Sequence, residues 1–299
     1  MARVFLTGGS GYVGAAVLDA LVRAGHHVEA LVRNSEAAAA VQARGGHPVL
    51  GDLLESETWR DAAAAADGSV HAAAEYGARI QQVDAAAVEG LTTLPPRNGR
   101  FLIYTSGCWV LGPTAQPADE TAPVHPLEIV SWRPAHEQRI LDSASAGVRA
   151  IVVRPGIVYG GSRGIVGDVL KDVSNGLVRI VGTGENHWPL IYDRDLGELY
   201  ARLIGTPSAS GIYHASDHGD ETVNEIVAAF GEHASIAPSV RHVPIAEARK
   251  KMGPYADALA ADQLLRCPRA RALGWSPTLH SVGGNAARLL EEWKRGTAA

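Results

Sequence analysis

Residues 7–14 read Thr7-Gly8-Gly9-Ser10-Gly11-Tyr12-Val13-Gly14, between an apolar run, Val4-Phe5-Leu6, and helically spaced Val13, Val17 and Leu21. A strand feeding a glycine-rich turn that opens a helix is the setting in which such a pattern carries information. Gly8 permits the tight turn, Gly11 lets a diphosphate approach the backbone, and Gly14 lets the helix close on the strand. The helix start then offers oriented N–H groups and the positive end of its dipole to an anion. Thr7, Gly8, Gly11, Tyr12, Val13 and Gly14 are therefore candidate contacts to a dinucleotide; a glycine-rich turn without ligand is the alternative.

The rest of the first half repeats the strand–helix alternation. Strands are expected over 28–32, 47–50, 70–74, 101–105 and 150–153, with helices from about Ser56 and through Val83 and Val88. Alanine clusters at 37–40, 62–66 and 85–87 read as crossover helices, since alanine is the best helix former. Such repetition implies parallel strands covered on both faces. The expected fold is α/β: a Rossmann-type doubly wound parallel sheet with a smaller mixed α/β substrate domain at its C-terminal side. Residues 1–156, with 190–215 returning, would form the sheet domain, and 157–189 with 216–299 the smaller one. The proline-rich stretch 111–128 reads as a long surface loop, and Thr222-Val223-Asn224-Glu225 as a capping box opening a helix.

Composition removes several classes of function. Lys and Arg total 27 against 32 for Asp and Glu, a net charge of −5, which offers no footprint for nucleic acid or an anionic membrane. Two cysteines, Cys108 and Cys267, support neither a disulfide framework nor a cysteine-rich metal site, and the scattered histidines give no metal-ligand spacing. No P-loop motif occurs. The chain opens on a strand without an apolar leader, so a cytoplasmic enzyme acting on a small molecule is expected.

The spacing of glycines at 8, 11 and 14 resembles the short-chain dehydrogenase/reductase superfamily, specifically its extended branch, which includes NAD-dependent epimerases and dehydratases. Further matches run in order along nearly the whole chain. Gly51-Asp52-Leu53 resembles the stretch whose aspartate contacts adenine, and Val70-His71-Ala72-Ala73 the strand-four motif beside the cofactor. Tyr104-Thr105-Ser106 resembles the strand end leading to the catalytic serine or threonine. Arg154-Pro155-Gly156-Ile157-Val158-Tyr159-Gly160 is similar to the R-P-x-x-V-Y-G that places backbone near nicotinamide. Asp193-Arg194-Asp195-Leu196 and Leu273-Gly274-Trp275-Ser276-Pro277 resemble two later landmarks of the branch. The resemblance implies cofactor contacts from Asp52, Leu53, Ala72, Ala73, Thr105, Pro155 and Val158, and pairing of copies as a homodimer through helices of the sheet domain.

The second strand ends Leu31-Val32-Arg33-Asn34-Ser35, without the carboxylate that would hold the ribose hydroxyls of NAD. A carboxylate would repel a 2′-phosphate, whereas Arg33 can pair with it; Asn34 and Ser35 add short donors, so NADP is the expected cofactor.

The family's tyrosine–lysine pair is missing. Aligning on Glu137 puts Ile129 and Arg133 in the two slots; aligning by distance from the serine strand puts Trp132 and His136 there. Ser106 lies near the serine position, although counting back from Gly112 puts Gly107 in it. Candidates for the proton are His136, whose ordinary pKa suits the task, Tyr192, and Tyr76 at the edge of the strand-four motif. Arg133 could stabilise an enolate or pair with Glu137 across one helical turn. Trp109, Trp132 and Trp188 lie in segments this branch turns toward substrate, as does His187. The function expected is an atypical NADP-dependent oxidoreductase passing hydride to a carbonyl or conjugated double bond. The rivals are a nucleotide-sugar-like epimerase or dehydratase and a catalytically silent NADP sensor.

Overall fold

The structure, a computed structural model, describes residues 1–75, 77–95, 97 and 99–298. The elements follow in chain order: β1 (Arg3–Thr7), α1 (Tyr12–Arg23), β2 (His27–Val32), α2 (Ser35–Ala43), β3 (His47–Leu50), α3 (Arg60–Ala65), β4 (Gly68–His71), α4 (Ile80–Thr92), β5 (Phe101–Thr105), α5 (Arg133–Asp142) and β6 (Arg149–Pro155). Next come β7 (Ile157–Tyr159), α6 (Gly164–Ser174), β8 (Leu177–Val181), β9 (Leu190–Tyr192), α7 (Asp193–Gly205), β10 (Gly211–Ala215), α8 (Val223–His233) and β11 (Ser239–Val243). The chain closes with α9 (Ile245–Met252), α10 (Tyr255–Ala260), α11 (Pro268–Ala272) and α12 (Ala286–Ala298).

Seven strands form one sheet in the order β10-β6-β5-β4-β1-β2-β3. β1 pairs in parallel with β2 and β4, β2 with β3, β4 with β5, and β5 with β6. The sheet reverses direction of growth at β1, so the C-terminal ends of β1 and β4 flank the switch point where doubly wound folds bind ligands. β4 is buried at every residue and β1 at all but its first, which explains why both strands are unbroken runs rather than alternating ones. No helix among the described residues is long and apolar enough to cross a membrane.

The described residues form two compact units: Met1–Ser106 with Trp132–Arg154 and Leu196–Tyr213, and Gly107–Ser131 with Pro155–Asp195 and His214–Ala299. The second takes in the proline-rich stretch assigned from sequence to the sheet domain, and it is no smaller than the first. That stretch is not a bare surface loop. Pro113, Pro117 and Pro123 are exposed, but Leu111, Gly112 and Ala118 of the same stretch are buried, and Gln263 Nε2 donates to the Gly112 carbonyl at 2.6 Å. The capping box is present, Thr222 N–H donating to Glu225 Oε2 at 2.8 Å and Glu225 N–H to Thr222 Oγ1 at 3.2 Å.

The helix expected from Ser56 starts later, because Ser56–Thr58 is a 3₁₀ turn that Ser56 does not cap. Trp59 decides this: its ring stacks on Phe5 at 5.7 Å while Nε1 donates to the Asp52 carbonyl at 3.0 Å. A buried aromatic with a satisfied N–H outweighs a cap contributing about 1 kcal/mol.

Candidate active site

The glycine loop runs from the end of β1 into α1. Gly8 has φ +79°, and a Cβ there would lie 2.7 Å from the Ala72 carbonyl and the Ala73 Cα, so the strand-four backbone sits directly against it. A Cβ on Gly14 would fall 2.0 Å from the Gly8 oxygen. The turn closes with Gly11 N–H donating to Gly8 O at 2.8 Å. Gly11 is the N-cap of α1 and makes no side-chain cap, and among the described residues beyond its chain neighbours a Cβ there would meet only the Gly8 oxygen, at 3.1 Å. A helix start stripped of side chains on its approach side fits a diphosphate. Tyr12 and Val13 form the first turn of α1, half-buried.

Arg33, just past β2, is 65% exposed, with Nη1 3.5 Å from Glu75 Oε2. Glu75 is held more closely by Arg79, whose Nε donates to Oε1 at 3.0 Å and Nη2 to Oε2 at 3.2 Å, so its charge is largely answered before it reaches Arg33. Asn34 spends its side-chain oxygen as the N-cap of α2, accepting from Ala37 N–H at 2.9 Å. Asp52 accepts from Leu54 N–H at 2.9 Å, and Leu53 is buried in the core beside Leu31 and Trp59.

A polar chain that sequence reading missed crosses the interior of this unit. Thr7 Oγ1 lies 2.6 Å from His71 Nδ1, and His71 Nε2 donates to Asp84 Oδ1 at 3.2 Å. On the other carboxylate oxygen, Asp84 Oδ2 accepts from His136 Nδ1 at 2.6 Å and from the Tyr104 hydroxyl at 2.8 Å. Thr7, His71, Tyr104 and Asp84 are all buried, while the His136 side chain is 15% exposed. Burial alone would raise the Asp84 carboxyl, but hydrogen bonds from His136 and His71 and the charge of Arg133 hold it well below the usual carboxylate range. Burial, with the Asp84 charge beside it, pushes the Tyr104 phenol well up, so it serves as a donor.

The remaining candidates separate. Thr105 Oγ1 bonds the buried Tyr200 hydroxyl at 2.6 Å. Ser106 Oγ is buried with no hydrogen-bond partner among the described residues, and its N–H donates to the Val153 carbonyl at 2.8 Å. Arg133 does not pair with Glu137. Its Nη1 donates to the Thr105 carbonyl at 3.1 Å, its guanidinium stacks 5.0 Å over Trp132, and its buried Nε has no partner among the described residues. Glu137 instead takes Arg154, at 3.0 Å from Nε to Oε1 and 2.5 Å from Nη2 to Oε2, with both side chains buried.

Tyr192 lies in the second unit. Its hydroxyl donates to Glu292 at 3.0 Å, and burial with that carboxylate pushes it up to about 12. Pro155 and Val158 lie in the second unit, Pro155 buried and Val158 paired with Ile191 of β9. Trp188 is buried with Nε1 donating to the Leu259 carbonyl at 2.9 Å, Trp109 packs edge-on against Tyr255, and His187 is held by Asp262. Trp132 alone of the three tryptophans adjoins the polar chain, its ring 5.0 Å from that of His136. Tyr76 lies outside the described residues.

A doubly wound parallel sheet whose first strand turns through a close-packed glycine loop into a helix is a dinucleotide-binding fold of the short-chain dehydrogenase/reductase kind. The chain belongs to the NAD dependent epimerase/dehydratase family, whose model matches residues 4–216. Members of this family are NAD(P)-dependent dehydrogenases, reductases and epimerases, and the chain is an NAD(P)-dependent oxidoreductase in kind. It is 32% identical over 288 residues to an uncharacterised protein of Schizosaccharomyces pombe, covering 94% of this chain and 96% of that one. It is 38% identical over 170 residues to a 4-hydroxy-2-methyl-3-oxo-4-farnesyl-3,4-dihydroquinoline-1-oxide ketoreductase of Stigmatella aurantiaca, covering 53% and 51% of the two chains. The crystal structure of a human epimerase family protein with NADPH shares the fold, with TM-score 0.74 at 20% identity over 97% of this chain and 99% of that one.

Proposed function

We propose that this chain is an NADP-dependent reductase that delivers hydride to a carbonyl, or to a conjugated double bond, of a small organic substrate, with His136 handling the proton. The observation that carries the reading is the 2.6 Å bond from His136 Nδ1 to buried Asp84, in the same unit as the glycine cradle. It leaves Nε2 as the working nitrogen of an acid or base whose ordinary pKa lies near neutrality. Bound nicotinamide supplies the hydride. Ser106 Oγ and Arg133 Nε, both buried and without partners among the described residues, suit a substrate oxygen that gains negative charge as hydride arrives. The ketoreductase relative favours a carbonyl substrate, and the NADPH of the human neighbour agrees with the phosphate site assigned to Arg33.

His136→Ala is expected to lower kcat/KM for NADPH oxidation, over a panel of ketones and enones, by about 10²- to 10⁴-fold, the usual contribution of a positioned acid. NADPH affinity should stay unchanged. Turnover equal to wild type in that variant would refute the role of His136, and cofactor binding without any turnover in the wild type would refute the reductase.

Arg33→Ala is expected to weaken NADPH binding about tenfold to a hundredfold, the worth of a hydrogen bond to a charged group. NADH binding should change by less than about twofold on the same reasoning. Calorimetric titration with both nucleotides tests the assignment, and tighter binding of NADH than NADPH by the wild type would overturn it.

A further inference from the structure

Asp84 accepts from three donors on three different elements: His71 of β4, Tyr104 of β5 and His136 of α5. An ionised carboxylate has no proton to give, so each partner must present one to it. That requirement assigns every proton in the chain. His136 carries its proton on Nδ1 and His71 on Nε2, leaving His71 Nδ1 to accept from Thr7 Oγ1–H at 2.6 Å, while Thr7 Oγ1 takes the Ala73 N–H at 3.4 Å. No atom of the set is left wanting. The converse tautomer of His136 would aim a bare nitrogen at a carboxylate from 2.6 Å, a repulsive contact between two lone pairs in a buried site.

We infer that Asp84 is the positioning residue of this site, fixing His136 as the Nδ1–H tautomer with Nε2 free for substrate, and that Thr7 and His71 hold Asp84 in that role. Two imidazoles thus share one buried negative charge. Arg133, on the same helix as His136, already contributes a positive charge to Asp84, so a second imidazolium there would be poorly compensated. His136 is the more exposed of the two, 15% against 1% for His71, so His136 is the imidazole open to a substrate. The other charged groups on the facing helices are answered elsewhere: Arg139 pairs with Glu89 of α4, and Glu137 with Arg154.

This inference rests on His136 being the proton donor, and its test reads protons rather than turnover. Full-length protein labelled with ¹⁵N-histidine would be titrated through two-bond imidazole spectra, with His136→Gln and His71→Gln assigning the signals. Wild type at high pH should show His136 as the Nδ1–H tautomer and His71 with its proton on Nε2. In Asp84→Asn, the His136 tautomer should shift toward Nε2–H, because the acceptor that fixes the Nδ1 proton is gone. An Nε2–H tautomer for His136 in the wild type would overturn the inference, as would a folded Asp84→Asn with unchanged His136 tautomer. The wild-type measurement decides even where the variant does not fold. Unchanged turnover in His136→Ala sinks the donor, whereas the wrong tautomer sinks only the positioning.

Discussion

Gly14→Ala is expected to abolish measurable dinucleotide binding and to destabilise the protein by about 3 kcal/mol or more, at the upper end of what overpacking costs. The added Cβ would lie 2.0 Å from the Gly8 oxygen and 2.5 Å from the Gly8 carbonyl carbon. Both obstacles are backbone, so no rotamer change relieves them. Gly8 cannot retreat either, because its own space ends 2.7 Å away at Ala72 and Ala73. The α1 N-terminus must therefore move off the strand, and with it the N–H groups meant for the diphosphate. Urea denaturation and calorimetry with NADPH and NADH read the two losses separately. Gly205→Ala, where nothing lies within 4 Å, is the control and should shift stability by no more than about 0.5 kcal/mol. Wild-type-like cofactor affinity in Gly14→Ala would show that the loop is not the cradle.

The second large effect belongs to Glu137. Glu137→Ala leaves the Arg154 guanidinium, 2% exposed, without its carboxylate, and removing one partner of a buried pair costs about 3–5 kcal/mol. The pair ties α5 to β6, and α5 carries Arg133 and His136, so proton delivery should weaken along with stability. Glu137→Leu combined with Arg154→Met should cost less than either single change, because replacing both charges by apolar groups avoids the uncompensated ion. Additive losses in the denaturation midpoints would mean that the two residues act independently.

Much of the cofactor half is written locally. The glycine pattern depends on backbone freedom and close approach over eight consecutive residues, and the strand–helix alternation on apolar periodicity, so both survive in a linear reading. The branch-wide landmarks located the family for the same reason: each is a short string with a fixed neighbour. The active site is less legible. His136 could be named as a titratable group on a helix, but nothing near it in sequence announces Asp84 of α4, 52 residues away, or His71 of β4, a further 13 residues from Asp84. Helical spacing favoured Arg133 with Glu137, since residues four apart on a helix are neighbours. The fold sent Glu137 inward to Arg154 and Arg133 to the end of β5 instead. Tyr192 shows the reverse, a phenol that looks available in sequence and is held by Glu292 from α12, 100 residues on.

What the sequence determined by itself is the sheet, its order of elements and the close-packed glycine turn, because these follow from backbone sterics and from which residues avoid water. Only the tertiary structure decided which ionisable side chains meet. A buried carboxylate needs donors from whatever elements converge on it, and that convergence is set by how the crossovers bring β4, β5, α4 and α5 together, not by spacing along the chain.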